Sequence, residues 1–295
     1  MANETTVTTY QNRLRRVLAY IDQHLFDDLS VEQLSQVAHF SKFHFHRQFS
    51  ASMGMGVYKY VQWRRLKKAA HELAYRSRYS VTDIALNTGF DSLEAFSRAF
   101  KKACGQTPSQ FRRQPRWEPW RDHDEFLFKA RADIMQTDIS NYAINIVEQE
   151  AIPVAALEHR GAPEYLGESI RRFIEWRKAN KRPPSISATY NILYNDPETT
   201  PAEAFRMDLC AGVNSAIEEN PYGVIAKTLP AGRYAVLRHI GPDAGMRAAF
   251  HFLYGEWLPG SGETLRDTPC FLQRVTMYPD VPEHEAVIDI YLPLV

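Results

Sequence analysis

Cysteine is scarce in this chain of 295 residues: Cys104, Cys210 and Cys270 lie far apart, with no C-x-x-C pair. That odd, scattered count argues against a disulfide scaffold and a zinc ribbon, and a reducing, cytoplasmic setting is expected. No apolar run approaches the ~20 residues of a membrane-spanning helix. The opening MANETTVTTY lacks the basic-then-apolar order of a secretion signal. No Ser-His-Asp or Cys-His signature stands out, so no catalytic residue and no cofactor is assigned.

Net charge is absent too, since 35 Lys+Arg balance 35 Asp+Glu. The balance hides a split. Residues 1–121 hold 19 basic and 10 acidic side chains, which leaves 16 basic and 25 acidic for the rest. A basic half followed by an acidic half suggests two domains with different partners. The basic half is a candidate for nucleic acid, although a solvated surface is the common alternative.

What is present in the first half is a repeat. SVEQLSQVAHFSKFHFHRQFSASMGMGVYKYV begins at Ser30, and SVTDIALNTGFDSLEAFSRAFKKACGQTPSQF begins at Ser80. Leu34 matches Ile84 and Phe40 matches Phe90 at an offset of 50. Phe45 then matches Phe96, Arg47 matches Arg98, and Gly54 matches Gly105 at an offset of 51. Each copy reads as helix, short turn, helix. Ser30, Ser80, Ser41 and Ser92 are N-cap candidates, and Glu32 and Asp83 favour the positive helix ends. Gly89 permits a left-handed turn, and Gly54 and Gly105 end their helices.

The stretch FSKFHFHRQF, residues 40–49, shows what the second helix of a copy offers. Phe45 and Phe49 are four apart and share an inward face. Phe43, His46, Arg47 and Ser50 cluster on the opposite side, with Lys42 and His44 nearby. His44 and His46 stand about 200° apart at ~100° per residue, so one metal ion cannot take both from a regular helix. No metal site is assigned. Arginine reads guanine edges, histidine and lysine donate to bases or phosphates, and an aromatic ring can meet thymine methyls. Between the copies, residues 57–77 read as one basic helix with Val61, Leu66, Ala69, Ala70 and Leu73 inward. About twenty helical residues span roughly 30 Å, close to one DNA turn of about 34 Å.

Residues 10–115 resemble the AraC/XylS DNA-binding domain. The resemblance rests on LSVEQLSQVAHFSKFHFHRQF, QWRRLKKAAHEL and SVTDIALNTGFDSLEAFSRAFKKACGQTPSQFRR. It implies that the first recognition helix reads bases from Phe43, His46 and Arg47, and the second from Glu94, Ser97 and Arg98. Glu94 is an unusual reader. It either accepts from a cytosine amine together with Arg98, or partly neutralises Arg98 four residues on. Lys101, Lys102, Arg112 and Arg113 either touch phosphates or solvate the surface.

QPRWEPWRDHDEF, residues 114–126, breaks the helical pattern and reads as a boundary. Trp117 and Trp120 either pack one domain on the other or lie in a plain surface segment. His123 between Asp122 and Asp124 reads as a solvated charge run.

The second half has its own echo. Leu157-x-His159-x-Gly161 matches Leu237-x-His239-x-Gly241 at an offset of 80, while Trp176 matches Trp257 one residue further. Each copy reads strand, turn, helix, then two more strands. RGAPEYLGESIRRFIEW, YNDPETTPAEAFRMDLC, KTLPAGRYAVLRHIGP and IDIYLPL resemble the GyrI-like small-molecule-binding domain over roughly 145–295. The order of the two domains is similar to Rob-type regulators. The resemblance implies a ligand held between aromatic walls with a buried glutamate. Trp176, Tyr190, Tyr194, Tyr254, Trp257 and Tyr278 are the candidate walls, with core packing as the alternative for each. PCFLQRV puts Leu272 and Arg274 where the family's acid is expected. A neutral or anionic ligand paired with Arg274 is then favoured over a cation, with Asp208 and Asp289 as substitute acids.

The expected fold is multidomain, α then α+β. An all-α double helix-turn-helix domain covers 8–114, a linker 115–143, and a pseudo-symmetric pair of βαββ-like halves 144–295. The expected function is a sequence-specific transcriptional regulator, not an enzyme. Its expected partners are double-stranded DNA at two major-groove half-sites about one turn apart and a small-molecule effector, with aromatic or lipophilic compounds as candidates. RNA polymerase is a further candidate partner, and no membrane is expected. The alternatives are a GyrI-like half that acts as a protein-interaction module or as a hydrolase.

Overall fold

The computed structural model describes residues 2–76, 78–120, 126–127, 130–131, 134, 142–196 and 200–295, with backbone alone for 2–10 and 244. Asp122, His123 and Asp124 lie outside the described residues. The chain divides into two compact units, Met1–Asp138 and Ile139–Val295.

In the first unit α1 (Ala2–Gln23) leads into α2 (Val31–Val37) and α3 (Lys42–Met53). The helix α4 (Val57–Tyr75) then connects to α5 (Val81–Asn87), α6 (Leu93–Cys104) and α7 (Pro108–Arg113). The repeated helices start and stop where their caps dictate. Ser30 and Gln33 form a capping box at α2, as Ser80 and Asp83 do at α5. Ser41 accepts from His44 N and Ser92 from Ala95 N. Gly54 and Gly105 close α3 and α6 with left-handed φ of 66° and 74°. The turn inside each copy also needs a left-handed residue: Gly89 at φ 77° in the second, and His39 at φ 51° in the first. His39 is a departure from the expected glycine chemistry. Its carbonyl is held by Arg13 Nη1 at 3.1 Å.

Phe45, Phe49, Phe96 and Phe100 are fully buried, as the periodicity predicts. Each contributes about 2–3 kcal/mol by leaving water. The expected inward face of α4 is also buried, and Tyr60 and Trp63 join it. The basic residues of α4 are mostly engaged inside the fold. Arg64 pairs with the buried Asp22 at 3.0 Å, Lys67 is buried, and Arg65 donates to three backbone carbonyls.

The segment read as a linker packs on this helical core. Trp120 is 1% exposed, with its ring 4.7 Å from Trp63 and 5.6 Å from Phe100. Trp117 stacks on Tyr75 at 9°. Leu127 and Ile134 are buried, and Arg131 pairs with Asp22. Prolines 115 and 119 interrupt the helix, but two tryptophans carry enough apolar area to fold the chain back.

The second unit is one antiparallel sheet of eight strands. They are β1 (Ile144–Gln149), β2 (Ile152–Arg160), β3 (Thr189–Leu193) and β4 (Arg206–Gly212), then β5 (Ile225–Leu229), β6 (Gly232–Ile240), β7 (Cys270–Thr276) and β8 (Val287–Pro293). Their order is β1-β6-β8-β7-β3-β4-β2-β5. The two copies meet at the central β3–β7 pair. The expected βαββ halves are present, each preceded by an additional strand that pairs with the other copy's side: β1 lies beside β6, and β5 beside β2. The helix α8 (Leu166–Ala179) contacts β2 and β4, and α9 (Met246–His251) contacts β6. After α9 comes a π-helical turn, Phe252–Trp257. A π-turn accommodates an extra residue in a helix. It explains why the echo runs at an offset of 80 to Gly161 and Gly241 but 81 at Trp176 and Trp257.

The packing of the first unit predicts that its folding domain runs past residue 114. A fragment ending at 138 should unfold at higher urea than one ending at 114. The difference is expected to be at least about 3 kcal/mol, because Trp120 burial and the buried Asp22–Arg131 pair are both lost. Equal midpoints would show that the segment adds nothing.

Candidate nucleic-acid interface and small-molecule cleft

The α3 helix separates its residues as expected. Phe45 and Phe49 face the core, while Lys42, Phe43, His44, His46 and Arg47 are exposed. Phe43 is 86% exposed, the most open large apolar side chain in the described protein. His46 and Ser50 lie against the Gly56 backbone, with His46 Nε2 3.5 Å from where a Cβ would stand. Lys42 forms an ion pair with Glu32 of α2, whose hydrogen bond holds the Glu32 carboxyl below its ordinary range. Lys42 is therefore partly committed within the protein.

On α6, Glu94, Arg98, Lys101 and Lys102 are exposed and Ser97 is half-buried. Glu94 and Arg98 form no ion pair among the described residues, so the internal-neutralisation reading has no geometric support here. Arg112 donates to Tyr79 O at 2.8 Å, which ties α7 to the start of the second copy.

The candidate wall residues of the second unit fall into separate packing clusters. Trp176 is 2% exposed and stacks on Phe173 in the core beneath α8. Trp257 packs on the core beneath α9. Tyr190 and Tyr194 lie on the opposite face with Phe271 and Tyr234, where no helix of this unit packs among the described residues. Tyr254 is 43% exposed on the π-turn. Although the residue is part-exposed, its hydroxyl is pushed above the ordinary range, by desolvation first and by the neighbouring Cys270 thiol second. Tyr278 sits half-buried in the turn after β7. Sequence periodicity could not separate the two faces of a sheet that is buried on both.

The strip between α8 and α9 is floored by β3 and β7. Leu193 packs against both helical cores there. Leu272 is buried, and Arg274 crosses the junction: its Nε donates to Asn191 at 2.7 Å and its two terminal nitrogens donate to Asp243 at 2.9 and 2.8 Å. No carboxylate stands at these two β7 positions. The substitute acids are also paired. Asp289 accepts two bonds from Arg238 at 2.7 and 2.8 Å. Asp208, wholly buried, accepts from Lys227 at 2.6 Å and Tyr194 at 2.8 Å.

Lys227 also donates to Glu158 at 2.6 Å. That bond first, and Arg160 second, hold the Glu158 carboxyl at about 2 against a smaller opposing effect of burial. Burial alone would lower Lys227, but its bonds to Asp208 and Glu158, with the charge of Asp208, raise it to about 12.

A cavity of about 540 Å³ opens beside this cluster, lined by Glu158, His159, Arg160, Tyr165, Glu168, Ser169 and Arg172. Sequence reasoning did not select these residues as a site. The LEHRGAPEY stretch carried the signal only as an internal echo. His159 is buried, with Nδ1 2.9 Å from Ser169 Oγ. Its counterpart His239 meets Pro242 O instead, and burial pulls its pKa down.

Residues 142–295, just over half of the chain, match the GyrI-like small molecule binding domain. The chain belongs to the GyrI-like family. Residues 34–114 match a helix-turn-helix domain. The chain is 40% identical over 152 residues to the probable transcriptional regulator YgiV of Escherichia coli K12, covering 51% of this chain and 95% of that one. Another relative is the right origin-binding protein of the same strain, 39% identical over 104 residues, 35% of this chain and 36% of the relative. The EcmrR–DNA complex, seen by cryo-electron microscopy, aligns over 90% of this chain and 98% of its own, with 12% identity and a TM-score of 0.44. The two family matches bear out the expected layout of a helix-turn-helix domain followed by a GyrI-like domain.

The Lys227 cluster gives a direct test of the GyrI-like half. Lys227→Met leaves the buried Asp208 without its cation and should cost about 3 kcal/mol in urea unfolding. Glu158 is depressed in the folded state, so its contribution is present above its unfolded value of about 4.3 and is lost as pH falls toward 2. The variant should therefore show a shallower loss of stability between pH 5 and 2. An unchanged midpoint and acid slope would contradict this account.

Proposed function

We propose that this protein is a transcriptional regulator whose first unit reads two half-sites on one face of double-stranded DNA, and whose GyrI-like half senses a small molecule. The observation that carries the DNA reading is the exposed face of α3. Phe43, His46 and Arg47 stand in water on a helix whose other face is fully buried. A second capped helix, α6, repeats the arrangement with Ser97 and Arg98. The shared helix α4 has 19 residues, about 28 Å of rise, which suits a span of about one DNA turn. Arg47 and Arg98 would read base edges, and Lys101 and Lys102 would contact phosphates. Glu94, free of Arg98, would accept from a cytosine amine.

For the effector, the favoured place is the strip between α8 and α9. Tyr254 and Trp257 would supply its aromatic wall. Arg274 is neutralised by Asp243, so a neutral, flat compound suits the strip better than an anion. The absence of a carboxylate on β7 disfavours a cation.

Selection of bound fragments from random DNA at fixed salt tests the reading, since phosphate contacts dominate affinity. Wild type should return an asymmetric motif of two half-sites. Arg47→Ala should weaken binding to that motif by about 1–3 kcal/mol and relax one half-site while sparing the other. Enrichment of no motif, or equal loss at both half-sites, would overturn it.

A further inference from the structure

The two helix-turn-helix copies share α4, but a shared helix alone does not fix where the second copy's turn sits. Arg65 does. It leaves α4 toward two separate loops. Its Nε donates to Leu25 O at 2.7 Å and one terminal nitrogen donates to Asp27 O at 2.6 Å, both between α1 and α2. The other terminal nitrogen donates to Gly89 O at 3.1 Å, in the turn that leads into α6. One planar group thus ties the loop that opens the first copy to the turn that aims the second recognition helix. Arginine suits this task because its donors form a rigid fork. Lysine could satisfy these carbonyls only through one flexible ammonium.

Gly89 completes the joint. Its φ of 77° favours glycine, and a Cβ there would stand 3.0 Å from the Arg65 guanidinium carbon and 3.1 Å from a terminal nitrogen. The turn's backbone therefore lies directly against the guanidinium. A side chain at 89 would push the two apart.

We infer that Arg65 is a positioning residue for specificity: it fixes the separation and phase of α3 and α6, and so the half-site spacing that the chain accepts. This rests on the two-half-site reading above. When one module is bound, the second binds at an effective concentration set by the geometry of the connection. A stiff joint concentrates that advantage at one spacing. A loose joint spreads it over neighbouring spacings. One base pair of extra spacer both translates and rotates the second site, because a turn takes about 10 base pairs. A rigid reader discriminates against that change.

The test measures affinity for the selected element with its spacer shortened or lengthened by one and two base pairs. Wild type, Arg65→Lys, Arg65→Met and Gly89→Ala are compared in the full-length protein, with a melting curve for each. Wild type should prefer its own spacer by on the order of tenfold over a one-base-pair change, and Arg65→Met should reduce that preference to about threefold or less. Base preferences inside each half-site should stay the same. Arg65→Lys should fall between them, and Gly89→Ala should shift in the same direction. A purely stabilising Arg65 would lower the active fraction equally at every spacer, and that uniform loss would overturn the inference. If Arg65→Met fails to fold, Arg65→Lys and Gly89→Ala decide the matter by the same profile. Wild type without selective binding to any half-site would instead overturn the function on which the inference rests.

Discussion

Both units are duplications, and a duplicated fold must hold its two copies in one register. The two helical copies share one core, and the two sheet copies share a core on one face of the sheet, so packing pushes them together without specifying an angle. Directional bonds supply the angle. In the first unit, Arg65 joins the loop before α2 to the turn before α6 through three carbonyls. In the second, Arg274 crosses from β7 to Asn191 of β3 and on to Asp243. Hydrophobic burial is non-directional, whereas a guanidinium fork accepts few arrangements. The two arginines lie where each duplication joins.

The charge pattern takes a different meaning in this light. The basic excess of residues 1–121 suggests a broad cationic surface. Much of α4's share is used inside the fold: Arg64 on Asp22, and Arg65 on backbone oxygens. The cations left exposed include Arg47, Arg98, Lys101 and Lys102 on α3 and α6. Exposed charge thus sits on these two helices and also on Arg16, Lys59, Arg78 and Arg113 elsewhere in the unit.

Legibility in the sequence followed the physics of each signal. Helix caps are local, so Ser30, Ser41, Ser80 and Ser92 could be read directly. The split of α3 into Phe45 and Phe49 inside and Phe43 outside follows from helical periodicity alone. The sheet was harder. Its strands are buried on both faces, so alternation did not reveal that Tyr190 faces away from the helix that carries Trp176. The strands β1 and β5 were missed because each pairs with the other copy, a long-range choice. The one-residue slip between the two tryptophans was visible, but its cause, the π-turn at Phe252–Trp257, was not. For Trp117 and Trp120 the sequence offers inter-domain packing or plain surface, and the structure shows a third arrangement, packing within the core of the first unit itself. Arg65 is one of four clustered basic residues, with Arg64, Lys67 and Lys68, and nothing in the sequence sets it apart, because backbone acceptors leave no trace there.

The central claim is that one chain places two recognition helices over successive major grooves. Hydroxyl-radical footprinting on a selected binding fragment tests this most directly. The account predicts two protected windows on one face of the duplex, about 10 base pairs apart from centre to centre, at a stoichiometry of one chain per duplex. A single window, or a symmetric pair that requires two chains, would contradict it.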